Sequence, residues 1–287
     1  MIGRFTLIAL AMGAAAIQAQ QTLPMEPSHF TGQSITGAFE GWFANQDGTF
    51  SLLLGYFNRN QREEVDIPIG PNNHIDPGGP DYGQPTHFLP GRMWGEFVIK
   101  VPKDFGDKKL TWTITLNGKS TTIPMYLMTD WEVSPFEDAT KNTPPYIGFS
   151  ESGPFVNGPA GQASTATATV GAPLPIKIWV ADDANVVEGA AHPRTPAATI
   201  FWSKFRGPGK VTFSPDRPPV QKSEFNAPVK QFQGTATTSA TFSEPGEYVL
   251  RVVANDWTRD GGGGFQCCWT NAQLKVSVKG PSTGGGR

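Results

Sequence analysis

The densest set of groups able to bind something lies between Gly70 and Gly91. There Asn72, Asn73, His74, Asp76, Asp81, Tyr82, Gln84 and His87 are interspersed with Gly and Pro over 22 residues. Amides and carboxylates satisfy hydroxyl and peptide groups while rings cover apolar faces, so the mixture suits a sugar or peptide ligand. A loop this long without structure of its own is uncommon in compact domains and is often functional. The competing reading, a solvated loop pinned by its prolines with Asn and Asp shaping turns, is the stronger on composition alone. Flanking the segment, Arg59 in Asn58-Arg59-Asn60 and Arg92 could each present a guanidinium to a carboxylate. Internal hydrogen bonds that fasten the loop are the plainer use of both. The expected ligand-binding set is Arg59, Asn72, Asn73, His74, Tyr82, His87 and Arg92.

Asp256 and Asp260 are the expected metal ligands, with Asp182 and Asp183 at a strand end or in a loop as further hard oxygen donors. The Asp-x-Asp-x-Asp spacing of an EF-hand is absent, so calcium is an ion to test rather than one the spacing dictates, and no other cofactor is expected. His29, His74, His87 and His192 are scattered, and the two cysteines are adjacent, which disfavours zinc. Gly148-Phe149-Ser150-Glu151-Ser152-Gly153 has the flavour of a nucleophile turn, but its second Gly comes one residue late and no strand-then-helix context surrounds it. Gly261 to Gly264 lack the following Lys and helix of a phosphate cradle and read as a hairpin tip. Carboxylates for a glycosidase pair exist, Glu40 and Asp47 among them, at a separation that sequence leaves open. No catalytic residue is named, and the protein is read as more a binder than an enzyme.

Composition narrows the field further. The 287 residues include 33 Gly and 26 Pro, against about 12% for the two together in average proteins, and only 17% are charged. That excludes a coiled coil, a charge-rich disordered tail and, lacking a three-residue Gly period, collagen. A net charge of −2 without basic runs argues against nucleic acid as a partner. Residues 1 to 19 read as a secretory signal peptide: Arg4, then an apolar stretch from Phe5 to Ala16 too short to span a bilayer, with cleavage after Ala16 or Ala19. The mature chain is expected to carry no transmembrane segment and to be secreted, periplasmic or held in the cell envelope. There Cys267 and Cys268 are either a strained vicinal disulfide or two thiols.

The elements that would position these groups are strands. Phe39 to Ala44 and Thr49 to Phe57 flank Asn45-Gln46-Asp47-Gly48 as a hairpin, and Leu110 to Leu116 alternate opposite Ile123, Met125 and Leu127 across Asn117-Gly118. Val65, Ile67 and Ile69 make a strand edge, and Trp94 to Val101 another strand. Residues 34–131 read as a β-sandwich or open barrel, 132–163 as a Pro/Gly-rich linker, 164–279 as a second sandwich and 280–287 as a flexible tail. The predicted fold class is all-β, with two β-sandwich modules.

The second module carries an ordered series of motifs: Trp202-Ser203-Lys204, Gly207-Pro208-Gly209-Lys210-Val211-Thr212-Phe213, Ala240-Thr241-Phe242, Pro245-Gly246-Glu247-Tyr248-Val249-Leu250 and Ala254-Asn255-Asp256. Over residues 165 to 279 it resembles the PKD and REJ-like immunoglobulin-fold modules of secreted surface proteins. The resemblance implies a Trp202 that fills the sandwich centre, a Tyr248 that ties back to backbone as a tyrosine corner, and an apolar Leu250 where antibody domains carry Cys. Two inserts, Asp183 to Pro196 and Pro215 to Gln233, depart from the compact pattern. The first module, through Gly55 to Asn60, Ile67 to Asn73 and Gly83 to Arg92, resembles a family of secreted bacterial proteins with no activity attached to it.

The function expected from all this is extracellular or envelope binding, adhesion or structural spacing. The partner would be an extracellular protein or a glycan, and the oligomeric state is left open. Carbohydrate binding, with Trp42, Tyr56 or Trp94 beside the long loop, is the alternative; an envelope hydrolase stands last.

Overall fold

The computed structural model describes residues 29–185, 196–256 and 267–280. The stretch read as a signal peptide, Gly261 to Gly264, residues 281–287, His192 and Asp260 lie outside the described residues. The first half of the chain contributes β1 (Ile35–Ala44), β2 (Phe50–Asn58), β3 (Val65–Asp66), β4 (Asn73–Asp76), β5 (His87–Phe88), β6 (Gly91–Val101), β7 (Leu110–Leu116) and β8 (Lys119–Met125). The second contributes β9 (Tyr146–Gly148), β10 (Phe155–Val156), β11 (Ala163–Thr169), β12 (Leu174–Asp182), β13 (Thr199–Arg206), β14 (Val211–Ser214), β15 (Gln221–Lys222), β16 (Phe232–Phe242), β17 (Gly246–Asn255) and β18 (Trp269–Lys279). Among the described residues the one helical element is a 3-10 turn at Thr129–Trp131, and no helix is long and apolar enough to cross a membrane.

In the first half, β2 lies between β1 and β6, and β7 between β4 and β8. Asn117 and Gly118 turn the β7–β8 hairpin with φ of 53° and 73°, the left-handed pair that a two-residue hairpin loop requires. Leu52, Leu54, Tyr56, Phe97 and Ile99 from one sheet meet Trp112, Ile114 and Met125 from the other, and Phe88 and Ile75 complete the core.

In the second half the strand orders are β10-β9-β12-β16-β14 and β11-β18-β17-β13. With β9 as the first strand, these are the two sheets of an immunoglobulin-like sandwich: strands A, B, E and D against C, F and G, with β11 added in parallel to β18. Trp202 fills the core between the sheets together with Leu250, which is fully buried. The Tyr248 hydroxyl donates to Glu244 O at 2.8 Å and accepts from Gly209 N at 3.0 Å, which is a tyrosine corner. Within 132–163, the stretch expected to be a linker, β9 pairs with β12 and β10, and Ile147 is buried in the sandwich core. Prolines and glycines there bracket pairing segments of two and three residues, too short to show as periodicity.

The halves are packed together. Leu52, Leu53 and Leu54 are all buried, so the β1-β2-β6 sheet is covered on both faces, and the apolar run without alternation is the sequence mark of that. Leu53, Phe43 and Val98 on its second face pack against Val253 and Trp269 of the sandwich. Phe205 of β13 extends into the first half's core, and its carbonyl accepts from Thr86 N at 3.1 Å. Four sheets are thereby stacked in order.

At the centre of this junction β6 bulges opposite Gly55, and Gly95 takes φ of 51°. Its carbonyl accepts from Asn271 Nδ2 at 2.6 Å and from Trp269 Nε1 at 3.3 Å, while its N–H donates to Glu40 Oε2 at 2.6 Å. Next to it Glu96 forms a 3.1 Å ion pair with Arg251, both under 5% exposed, and Arg251 Nε donates to Asn271 Oδ1 at 3.0 Å. A Cβ on Gly95 would lie 2.0 Å from the Trp269 ring. Gly95→Ala therefore combines left-handed strain with a clash, and should cost roughly 2–4 kcal/mol in urea unfolding. Gly118→Ala, with open space around its Cβ, should cost only about 1 kcal/mol in the same measurement.

Candidate functional site

The Gly70 to Gly91 segment, expected as an unstructured loop, holds β4 and β5 and is tied down throughout. Asn73 is fully buried: its amide donates to Ile67 O at 3.0 Å and Pro85 O at 2.8 Å, and its oxygen accepts from Trp112 Nε1 at 3.0 Å. Gln84 clasps the turn by donating to Pro80 O and accepting from Tyr82 N, both at 2.8 Å, and the Tyr82 hydroxyl donates to Pro77 O at 2.5 Å. Arg206 grips Asp81 through both terminal nitrogens, at 3.0 and 2.8 Å, and donates to Gln84 O at 2.8 Å, so the second half holds the segment in place. Of the expected ligand set here, Asn72 is exposed and His74 half-buried, its Nε2 3.3 Å from Asp76. Asn73 and Tyr82 are committed to internal bonds, because a segment with so few apolar side chains must be held by its polar ones.

His87 is buried where the halves meet, beside a cleft of about 650 Å³ lined by Glu64, Asp66, His87, Trp202, Lys204 and Lys210. Its Nδ1 lies 2.9 Å from Asp66 and its Nε2 3.4 Å from Glu64, while Lys204, also buried, reaches Asp66 at 2.9 Å and Gly209 O at 3.0 Å. Burial works against charge on the imidazole, but the two carboxylates outweigh it and raise its pKa. Sequence reasoning passed over Asp66 and Lys204, whose meeting depends on how the halves dock. The arrangement balances two cations against two anions and fastens β3 and β5 to β13.

Arg59 and Arg92 stand on the face of the β1-β2-β6 sheet that continues past the sandwich. Arg92 pairs with Glu40, donates to Tyr56 O at 3.0 Å and to Met93 O at 2.5 Å, and stacks 3.8 Å from the Trp94 ring centre. Arg59 donates to Thr36 Oγ1 and lies over Phe57. Phe57 and Trp94 are 41% and 40% exposed, and Phe57 is in register with Arg92. Tyr56 is fully buried with its hydroxyl accepting from Leu89 N, and Trp42 is half-buried with Nε1 donating to Met128 O. Among the three aromatics expected beside a sugar site, Trp94 is the exposed one.

Asp256 is buried at one end of the sandwich and accepts from Asn142 Nδ2. Among the described residues no three His, Cys, Asp or Glu side chains converge to hold a metal. Cys267 and Cys268 form a vicinal disulfide, buried beside the Asn142 carbonyl. The Ser150 hydroxyl closes its own turn by donating to Gly153 O at 2.6 Å. Glu40 pairs with Arg92 and Asp47 with Lys100.

Two outcomes follow from these roles. Asn73→Ala strands three buried partners and should lower stability by about 3 kcal/mol, whereas Asn72→Ala should change it by no more than about 0.5 kcal/mol, both read by chemical denaturation. The charge on His87, faced by Asp66, Glu64 and Lys204, stabilises the fold fully below the imidazole's unfolded pKa of about 6.5. That contribution is lost as pH rises through the higher folded value, so the stability advantage of wild type over His87→Gln should shrink as pH rises above about 6.5 in a denaturation series.

No protein-family model matches the chain, and no curated protein matches it. The PKD resemblance therefore rests on the motifs alone. Solved structures similar to this chain include domains 4 and 5 of the S-layer protein SbsC, at 10% identity and a TM-score of 0.23 over 86% of this chain and 98% of that one. The D0-D1 domain of intimin gives 12% identity and a TM-score of 0.23, over 85% of this chain and 97% of that one. A protein of unknown function from Porphyromonas gingivalis W83 gives 9% identity and 0.23, over 85% and 99%. At a TM-score of 0.23 none of these likenesses carries function to this chain.

Proposed function

We propose that the protein is an exported, non-enzymatic β-sandwich protein that works by binding or by spacing, in the cell envelope or outside the cell. The observation that supports this is where its reactive side chains are committed. His87, Asp66, Lys204, Arg206, Asp81, Glu96 and Arg251 hold the two halves together, and Asn73, Gln84 and Tyr82 hold the long segment. A body fixed in this way presents its surfaces at constant separation, which suits adhesion or spacing. Export is supported by the N-terminal apolar stretch and its small-residue exit. The motif series of residues 165 to 279 supports a PKD-like second module.

Glycan binding is the second reading, favoured by the neighbouring exposed rings of Phe57 and Trp94 with Arg59 and Arg92 beside them. Expression of the full chain in a bacterial host should yield mature protein, shortened by 16 or 19 residues, in periplasm or medium; full-length protein confined to the cytoplasm would refute export. On a glycan array the wild type should lose at least tenfold in signal when Trp94 is changed to Ala. Retention of no glycan would leave a protein partner or a spacing role.

A further inference from the structure

The end of the sandwich that carries the Cys267–Cys268 disulfide has an unusual polar interior. Alternation places Ile176, Ile178 and Val180 of β12 and Leu250, Val252 and Ala254 of β17 in the core. One further step along each strand brings Asp182 and Asp256, from opposite sheets, to the same end, 1% and 3% exposed. Asn142, 3% exposed, reaches in from the preceding turn and donates through Nδ2 to Asp256 Oδ2. Asp182 Oδ1 accepts from Ala184 N at 2.8 Å, but its Oδ2 has no hydrogen-bond partner, and neither has Asn142 Oδ1. Buried acceptors without donors are costly, and two buried carboxylates on facing strands repel each other.

The surrounding chain is built to hold these oxygens still. Asp183 Oδ2 accepts from Thr143 N at 3.0 Å and Thr143 Oγ1 at 2.8 Å, which fixes the residue next to Asn142. Asn185 donates to Thr140 O at 2.9 Å and through its N–H to Asp183 Oδ1 at 2.9 Å, closing the same turn from the other side.

We propose that Asp182 Oδ2, Asn142 Oδ1 and the Asp256 carboxylate bind a calcium ion that bridges the two sheets of the sandwich. All three donors are hard oxygens, as calcium requires, and the irregular set drawn from two strands and a turn suits its tolerant geometry better than the strict octahedron of magnesium. Water and main-chain carbonyls would complete the shell. With only two carboxylates among the ligands, affinity falls in the weak range of extracellular modules, a dissociation constant of roughly 10⁻⁴ to 10⁻³ M. Asp256 and Asp182 are among the donors expected from sequence, Asn142 is not, and Asp260 lies outside the described residues.

The test is calorimetric titration and thermal unfolding of the full chain, stripped with chelator and then supplied with calcium chloride or magnesium chloride. Calcium at ten times its dissociation constant should raise the folded-to-unfolded ratio about elevenfold, equivalent to about 1.4 kcal/mol, with a smaller effect of magnesium. Asp182→Asn, a neutral isostere, should melt no lower than wild type in chelator and should weaken calcium binding at least tenfold. Asn142→Ala should also weaken it and serves as the readout if Asp182→Asn does not fold. No heat and no shift in melting temperature up to about 10 mM calcium, tenfold above the weak end of that range, would overturn the proposal. So would wild-type calcium affinity in both variants.

Discussion

The buried Glu96–Arg251 ion pair is the constraint on which the rest of the structure depends. Each charge is buried in the middle of its strand, where it is costly out of water unless it is paired and hydrogen-bonded. Their pairing joins β6 of one sheet to β17 of the facing sheet. The Gly95 bulge then lets Trp269 and Asn271 bond the same carbonyl, and Leu53, Val98 and Phe43 pack in one cluster with Val253. Removing one charge would leave the other buried without its counter-charge, a loss of about 3–5 kcal/mol. Once these contacts are made, a sheet that could have faced water is covered on both sides, and two sandwiches become one stack.

That stack explains why so many candidate residues are structural. A cleft between docked halves must neutralise whatever charge it traps, and His87, Asp66, Glu64 and Lys204 do so among themselves. The long Gly70 to Gly91 segment has too few apolar side chains to pack, so Asn73, Gln84 and Asp81 hold it by hydrogen bonds and an ion pair with Arg206. Groups left to meet a partner stand where the stack ends: Phe57, Trp94 and Arg59 on the uncovered part of one sheet, and the oxygens of Asp182 and Asn142 at the end of the sandwich.

Much of this architecture is legible in the sequence. Asn117-Gly118 between alternating arms names a hairpin because few other residues adopt its left-handed turn, and Trp202 and Tyr248 mark a sandwich centre and its corner. The docking of the halves also left marks, though they are subtler. Leu52-Leu53-Leu54 and Val252-Val253-Ala254 lack the alternation of a half-buried strand, and Glu96 and Arg251 put opposite charges among the apolar residues Phe97-Val98 and Leu250-Val252. Each mark is meaningful only once its partner is known, and that partner lies far along the chain, in the other half, beyond what local pattern carries. The short strands β9 and β10 pair within a Pro- and Gly-rich stretch for the same reason: tertiary pairing, rather than local propensity, decides them. Asp182 reads as one more strand-end acid until the core beneath it is seen.

If the junction makes one body of the chain, its two cores must unfold together. Native-state hydrogen exchange along a urea series, comparing the innermost amides of β7 in the first half and of β12 in the second, reads this at the level of single strands. The account predicts that both sets exchange through one opening, with equal free energies and equal dependence on urea. Exchange of β7 through an opening of lower free energy and shallower urea dependence, with β12 still protected, would contradict it.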